Sequence, residues 1–316
     1  MPGFFDVLRE PPVPYPGDER YPLFNRISLE TISFCNRRCS FCPVAWSDRG
    51  QTHMTDALYE KIVRELHELK FDGVAQLFFL SEPFIDNTLK AKARALREAC
   101  PEVSIYISSN GDVLDRLWQT RGPAHALKLL EETYEAGINV ININSYDPGP
   151  EQLERYQALE LAAREQLHAR HTEHKYRHHS PRGRYLCITD MRFEERKEES
   201  AERVKGTDIF YIRNAKDRKA LADKGEKVPQ LHCMRTQRHL VVLFDGRVPI
   251  CCAIDPNDAS TIVANANNQT LEEIWNSEVF FMYRTYTQRG ERVLPHCQTC
   301  THRMAFPHVV RKVLPR

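Results

Sequence analysis

Three cysteines stand close together in Cys35-Asn36-Arg37-Arg38-Cys39-Ser40-Phe41-Cys42. This C-x3-C-x2-C spacing gathers three thiolates on one short loop. A structural zinc takes four ligands, usually as two C-x2-C pairs, so three do not complete its tetrahedron. On a [4Fe–4S] cluster, three thiolates leave one iron with an open position where a small molecule can be activated. Arg37 and Arg38 inside the loop suit an anionic cluster. The competing reading is three incidental thiols.

A second group, Cys233, Cys251, Cys252, Cys297 and Cys300, lies in the last third of the chain and closes on a C-x2-C pair. The chain has ten cysteines in all, and Cys100 and Cys187 have no near neighbour. The N-terminus lacks the basic start and apolar core of an export signal, so a cytoplasmic location is expected. Disulfides would be reduced there, and clustered cysteines read as metal ligands or reactive thiols.

These residues need elements to hold them. Strand candidates are 26–34, 74–80, 103–108, 138–143, 184–193 and 208–212, and they alternate with helical spacings at 56–69, 88–99, 124–136 and 150–168. Six strands alternating with helices imply an α/β fold with a parallel sheet and right-handed crossovers, barrel-like or open. Chemistry in such folds sits at the C-terminal strand ends. The first four strands are followed by Cys35 to Cys42, Ser81-Glu82-Pro83, Ser108-Ser109-Asn110-Gly111 and Asn144-Ser145-Tyr146-Asp147. Polar and unusual residues therefore lie where that rule puts them.

The texture changes near residue 225. Gln237 to Phe244, Asp245-Gly246 and Arg247 to Ala253 read as a β-hairpin with an Asp-Gly turn. A helix is expected from Thr270 to about Tyr283, capped by Asn268 or Thr270 with Glu273 in its first turn. Six prolines within residues 1–25 suggest an extended arm. The expected organisation is an arm over 1–25, a barrel-type domain over 26–225 and a smaller module over 226–316. Between the fourth and fifth strands, His168, His171, His174, His178 and His179 could form a metal site. Their neighbours Arg170, Lys175 and Arg177 favour a solvated helix end instead.

Composition narrows the partners. Over 316 residues, 44 Lys+Arg against 43 Asp+Glu leave a net charge of +1, so there is no global basic field for nucleic acid or an anionic membrane. The apolar runs are short, such as Leu77 to Leu80 and Leu240 to Phe244. A membrane span needs roughly 20 such residues.

With the C-x3-C-x-aromatic-C loop placed after the first strand of a βα repeat, and Phe41 as its aromatic, the sequence resembles the radical S-adenosylmethionine (radical SAM) enzymes. The resemblance implies a partial (β/α)6 barrel. Cys35, Cys39 and Cys42 then hold a [4Fe–4S] cluster whose open iron binds SAM. One electron cleaves SAM to methionine and a radical that takes a hydrogen atom from substrate. A donor such as flavodoxin or ferredoxin is implied. Leu80-Ser81-Glu82-Pro83 matches the family's Gly-Gly-Glu-Pro without its glycines, which makes Glu82 the partner of the SAM ammonium. Ser108 and Asn110 look like ribose contacts, and Ser145 and Arg192 stand where related enzymes contact the SAM carboxylate.

The C-terminal spacing Cys233-x17-Cys251-x45-Cys297-x2-Cys300 resembles the twitch module, a reduced relative of the SPASM domain. Supporting matches are Val241-Val242-Leu243-Phe244-Asp245-Gly246 and Leu271-Glu272-Glu273-Ile274-Trp275-Asn276. Four ligands would close a second [4Fe–4S] cluster, with a zinc knuckle as the alternative. Cys252 is left over beside Cys251, and either of the two could be the ligand. A thiol facing the active site can return a hydrogen atom to a carbon radical and so invert the carbon.

Three reactions follow on a carbohydrate-like or aminoglycoside-like small molecule or a peptide. The main expectation is epimerisation with Cys252 as hydrogen donor, similar to radical SAM epimerases of antibiotic biosynthesis. The alternative is oxidation of an aminocyclitol secondary alcohol to a ketone through the auxiliary cluster. Peptide modification is the third. Acidic residues Asp147, Asp190, Asp255 and Asp258 are candidates for holding a polyamino sugar.

Overall fold

The computed structural model describes residues 22–39, 42–45, 49–174, 176–191, 233, 235–252, 258–289, 291 and 297. Strands β1 (Arg26–Leu29), β2 (Val74–Gln76), β3 (Ser104–Ser109), β4 (Val140–Ser145), β5 (Arg170–His171), β6 (Tyr185–Asp190) and β7 (His239–Val242) form one sheet in the order β5-β6-β4-β3-β2-β1-β7. All its pairings are parallel. Helices α1 (Asp56–Glu68), α2 (Leu89–Ala99), α3 (Asp112–Arg121), α4 (Pro123–Glu135) and α5 (Pro150–Leu167) connect the strands.

Strand alternation sorts the side chains. Ile27, Leu29, Ile105, Ile107, Ile141 and Ile143 share one buried cluster with Leu58, Ile62 and Leu66 of α1 and Leu159 and Ala163 of α5. Each such side chain contributes about 1.5–3 kcal/mol by burial. The intervening positions Ser28, Gln76, Tyr106, Ser108, Asn142 and Asn144 therefore project to the opposite, inner face. Helix starts are marked locally: Thr55 caps α1 by accepting from Leu58 N at 3.3 Å, and prolines open α4 and α5.

The C-terminal part departs from expectation. Among the described residues, the run 237–244 does not form a hairpin ladder with 247–252. Instead β7 pairs in parallel with β1, Ile27 opposite Leu240, while β8 (Arg247–Pro249) pairs antiparallel with β9 (Ile262–Asn265). The Asp245-Gly246 turn is present, with Leu243 N donating to Arg247 O at 2.9 Å. The expected helix over 270–283 is two helices, α6 (Leu271–Trp275) and α7 (Glu278–Gln288). Ser277 interrupts them by capping α7, its side chain accepting from Phe280 N. Thr270 is the cap of α6, in a full capping box with Glu273.

The described residues of 235–289 are thus continuous with the preceding sheet and helices in packing. Leu271, Ile274, Trp275 and Phe280 belong to the same core as Ile27 and Leu29. Leu271 N donates to Glu65 Oε2 of α1 at 2.9 Å, and Trp275 Nε1 donates to Pro22 O at 2.9 Å. The expected strand at 208–212 lies outside the described residues.

The histidine run holds the two-residue edge strand β5, which sequence reasoning missed. His171 Nδ1 meets Glu160, His178 Nε2 meets Glu102 O, and the His179 ring packs on Tyr185. Among the described residues of this run no group of three or more His, Cys, Asp or Glu is poised for a metal ion. No helix among them is long and apolar enough to cross a membrane.

Candidate active site

The loop after β1 is pinned before it reaches the thiols. Ser33 Oγ donates to Gly50 O at 3.0 Å and accepts from Thr52 N at 2.8 Å, and Ile32 bridges to His53. Arg37 Nε donates to Asp112 Oδ2 at 2.7 Å, and its Nη2 pairs with Asp147 at 2.9 Å. Arg38 Nη1 donates to Val44 O at 2.7 Å. Both arginines therefore fasten the loop. Arg37 still acts on the thiols: its charge pulls Cys39 down against the larger upward effect of burial.

Cys35, Cys39 and Cys42 line one cavity of about 100 Å3 together with Glu82, Ser108 and Asn110. Burial pushes Cys35 and Cys42 up to about 12. Asn110 Nδ2 donates to Cys35 Sγ at 3.6 Å. Thiols raised in this way ionise when a cation supplies the missing positive charge, as cluster iron does.

Glu82 is buried in the turn after β2. Its Oε1 accepts from Ser109 Oγ at 2.7 Å and Phe84 N at 2.9 Å, and its Oε2 accepts from Asn110 N at 2.7 Å. Burial still dominates and lifts its carboxyl to about 7. A cationic partner would restore the charged form. Beside it Ser81 Oγ is buried without a hydrogen-bond partner among the described residues, and Ser81 lines the cavity. A buried hydroxyl in that state calls for a polar ligand. The donor set and this orphaned hydroxyl fit a SAM-bearing cluster.

The Ser109-Asn110-Gly111 turn is held from α5, where Tyr156 Oη donates to Asn110 O at 3.3 Å. Gly111 has φ +75°, and a Cβ there would lie 2.4 Å from Tyr156 Oη. Gly111→Ala is expected to cost about 1–3 kcal/mol and to lower the urea midpoint of unfolding.

Ser108 is fixed on the inner face by Asn142 Nδ2 at 2.8 Å and Asn144 Nδ2 at 2.9 Å. Ser145 is a correction. Expected at the SAM carboxylate, it is buried on the other face, with Oγ donating to Gln152 Oε1 of α5 at 3.2 Å. Its neighbours Asn144 and Tyr146 line the cavity instead. Sequence reasoning missed both, although the alternation Asn142-Asn144-Tyr146 carries the signal. Tyr146 is pushed well above its usual range by burial and then by Cys39, Cys42, Cys35 and Glu82, and it lines the same cavity as the three thiols. Phe41, Arg192 and Cys300 lie outside the described residues.

At the C-terminal group, burial raises the Tyr283 phenol well above its usual range, and Cys297, Cys251 and Cys233 add to the rise. Tyr283 Oη and Cys297 Sγ are 2.7 Å apart. Cys252 is buried. It is 4% exposed, packs with Val241 and Leu243 near Phe79, and its Sγ accepts from Arg235 Nη1 at 3.3 Å. Of the acidic candidates, Asp147 is paired with Arg37, and Asp258 accepts from Ser260 N at 3.0 Å.

Residues 29–175 match the Radical SAM superfamily, and residues 233–301 match the SPASM iron-sulfur cluster-binding domain. The S-adenosyl-L-methionine-dependent 2-deoxy-scyllo-inosamine dehydrogenase of Niallia circulans is 23% identical over 290 residues, 89% of this chain and 94% of that protein. The crystal structure of BtrN in complex with AdoMet and 2-DOIA superposes with a TM-score of 0.62 at 20% identity, covering 89% of this chain and 94% of that one. Selenomethionyl BtrN in an open conformation gives 0.56 at 20% identity, over 88% and 92%. These structural likenesses show the fold.

The parallel sheet with a three-thiol loop at the end of β1 is that of a radical SAM domain. The chain carries a radical SAM domain followed by a C-terminal SPASM-type domain, a pairing that implies SAM and two [4Fe–4S] clusters as cofactors.

Proposed function

We propose that this enzyme oxidises a secondary alcohol of an aminocyclitol-like small molecule to the ketone. The observation that carries the reading is the likeness to the Niallia circulans dehydrogenase, which runs through both the barrel and the cluster-binding region. Oxidation removes a hydrogen atom, a proton and an electron from the alcohol. When bound, the cofactors supply hydrogen-atom abstraction at carbon and a one-electron sink.

The chain's own residues would hold and orient. Cys35, Cys39 and Cys42 would carry the first cluster, and Cys233, Cys251, Cys297 and Cys300 the auxiliary one. Glu82, already gathering three donors, would fix the SAM ammonium, with Ser108 and Asn110 at the ribose. Phe41 and Arg192 are proposed contacts from family likeness alone. Phe78, Phe79 and Val44 line the same cavity and would keep water from a reactive carbon. A flavodoxin-type or ferredoxin-type partner would deliver the initiating electron.

Epimerisation with Cys252 as donor has less support. Among the described residues Cys252 is not part of the cavity lining, and its thiol accepts from Arg235. The test is an anaerobic assay with SAM and reductant in deuterated water over a panel of aminocyclitols and aminoglycosides. A product lighter by two hydrogens, formed equally by Cys252→Ala, is the expected result. A product isomer with one non-exchangeable deuterium, lost in Cys252→Ala, would overturn it.

A further inference from the structure

α7 turns one face toward the C-terminal cysteines. Tyr283 and Thr287 stand one turn apart on it. Thr287 O accepts from Cys233 N at 3.2 Å, and Tyr283 Oη lies 2.7 Å from Cys297 Sγ. Both members of the close pair are inside the protein, Tyr283 at 2% and Cys297 at 8% exposure. Behind Tyr283 the helix is rigidly seated. Arg284 is fully buried, lies 3.7 Å from the centre of the Trp275 ring and donates from Nε to Thr236 O at 3.1 Å. Thr287 Oγ1 donates back to Tyr283 O at 2.9 Å.

Between a phenol and a free thiol either atom can donate. Once the sulfur is a metal-bound thiolate it has no proton, and the phenol is the only possible donor. Hydrogen bonds to cluster sulfurs stabilise the more negative, reduced state and set the reduction potential. We infer that Tyr283 is a positioning residue whose hydroxyl donates to the Cys297 thiolate and raises the reduction potential of the auxiliary cluster, making that cluster a better acceptor of the substrate's electron. This rests on the reading of Cys233, Cys251, Cys297 and Cys300 as its ligands.

The test uses the full chain with Cys35, Cys39 and Cys42 all replaced by alanine, so that the auxiliary site is read alone, and compares it with the same chain carrying Tyr283→Phe. Iron content is measured first, then the midpoint potential by an EPR-monitored redox titration. The expected result is equal iron and a lower potential in Tyr283→Phe. The reduced fraction at fixed potential should fall about tenfold, a shift of about 59 mV for one electron. Tyr286→Phe on the same helix should leave the potential where it was. Equal iron with an unchanged potential overturns the inference. So does loss of iron in Tyr283→Phe alone, which would make the tyrosine a packing element. A triple-alanine chain that binds no iron while retaining Tyr283 would instead sink the ligand reading itself, and the inference with it.

Discussion

Cys39→Ala is expected to lower 5′-deoxyadenosine formation at least about 10³-fold, roughly 4 kcal/mol of barrier, while the reconstituted chain keeps about half its iron. The reasoning starts from geometry. Cys35, Cys39 and Cys42 open onto one cavity with Glu82, and no fourth cysteine lines it among the described residues. Two thiolates cannot secure a cluster that three hold with one iron open. The remaining iron should belong to the C-terminal site, where Cys233 and Cys297 both meet α7. Cys251→Ala is the complementary variant: it should keep SAM cleavage and lose ketone formation. Iron analysis and product quantification decide the matter. If Cys39→Ala retains cleavage, or if both variants lose the same activity and the same iron, the division into an initiating and an auxiliary site fails.

What the sequence made legible is what short-range rules govern. The three-thiol spacing, the strand-end placement of Glu82, Ser108 and Asn110, and most helix limits follow from local spacing and period. Ser145 was misplaced because a motif position says which strand end a residue occupies but not which face it takes. Counting by twos from Asn142 puts Tyr146 in the cavity and Ser145 against Gln152. The break at Ser277 was also readable, since serine followed by Glu278 is a helix start, yet the apolar period running through it masked the signal.

β7 was not readable. Leu240 to Phe244 before Asp-Gly satisfies the local signature of a hairpin, and its pairing with β1 is decided by contacts far along the chain. One of those contacts is Glu30, whose carboxylate accepts from Phe244 N at 3.5 Å as well as from Leu80 N at 3.1 Å. A glutamate after an apolar strand gives no local clue that it will be buried. The proposed role of Cys252 suffered from the same blindness. Its nearness to Cys251 in sequence says nothing of the Arg235 guanidinium that meets it in the fold.

Glu30→Ala is expected to destabilise the protein by about 3–5 kcal/mol, as breaking a buried ion pair does. The Glu30 side chain is fully buried and that of Arg49 is 3% exposed. Arg49 bonds Glu30 through Nη1 at 3.0 Å and through Nη2, and it lies over the Phe244 ring. Without Glu30 the guanidinium has lost its counter-charge inside the protein, and the Leu80 and Phe244 amides lose their acceptor. The penalty comes from that stranded charge more than from the lost attraction, so Glu30→Leu with Arg49→Met should recover most of the loss. Urea unfolding of the wild type, Glu30→Ala, Glu30→Leu, Arg49→Met and the double variant measures this, provided the slopes agree. A cost below about 1 kcal/mol for Glu30→Ala, the range of an exposed pair, would overturn the argument. The consequence reaches function through the same bonds. Leu80 leads directly into Ser81 and Glu82, Arg49 closes the thiol loop, and Phe244 begins the turn toward Cys251. A single carboxylate therefore sets the SAM-side residues and the strand that leads to the auxiliary site against each other, and loosening it should impair both sites together.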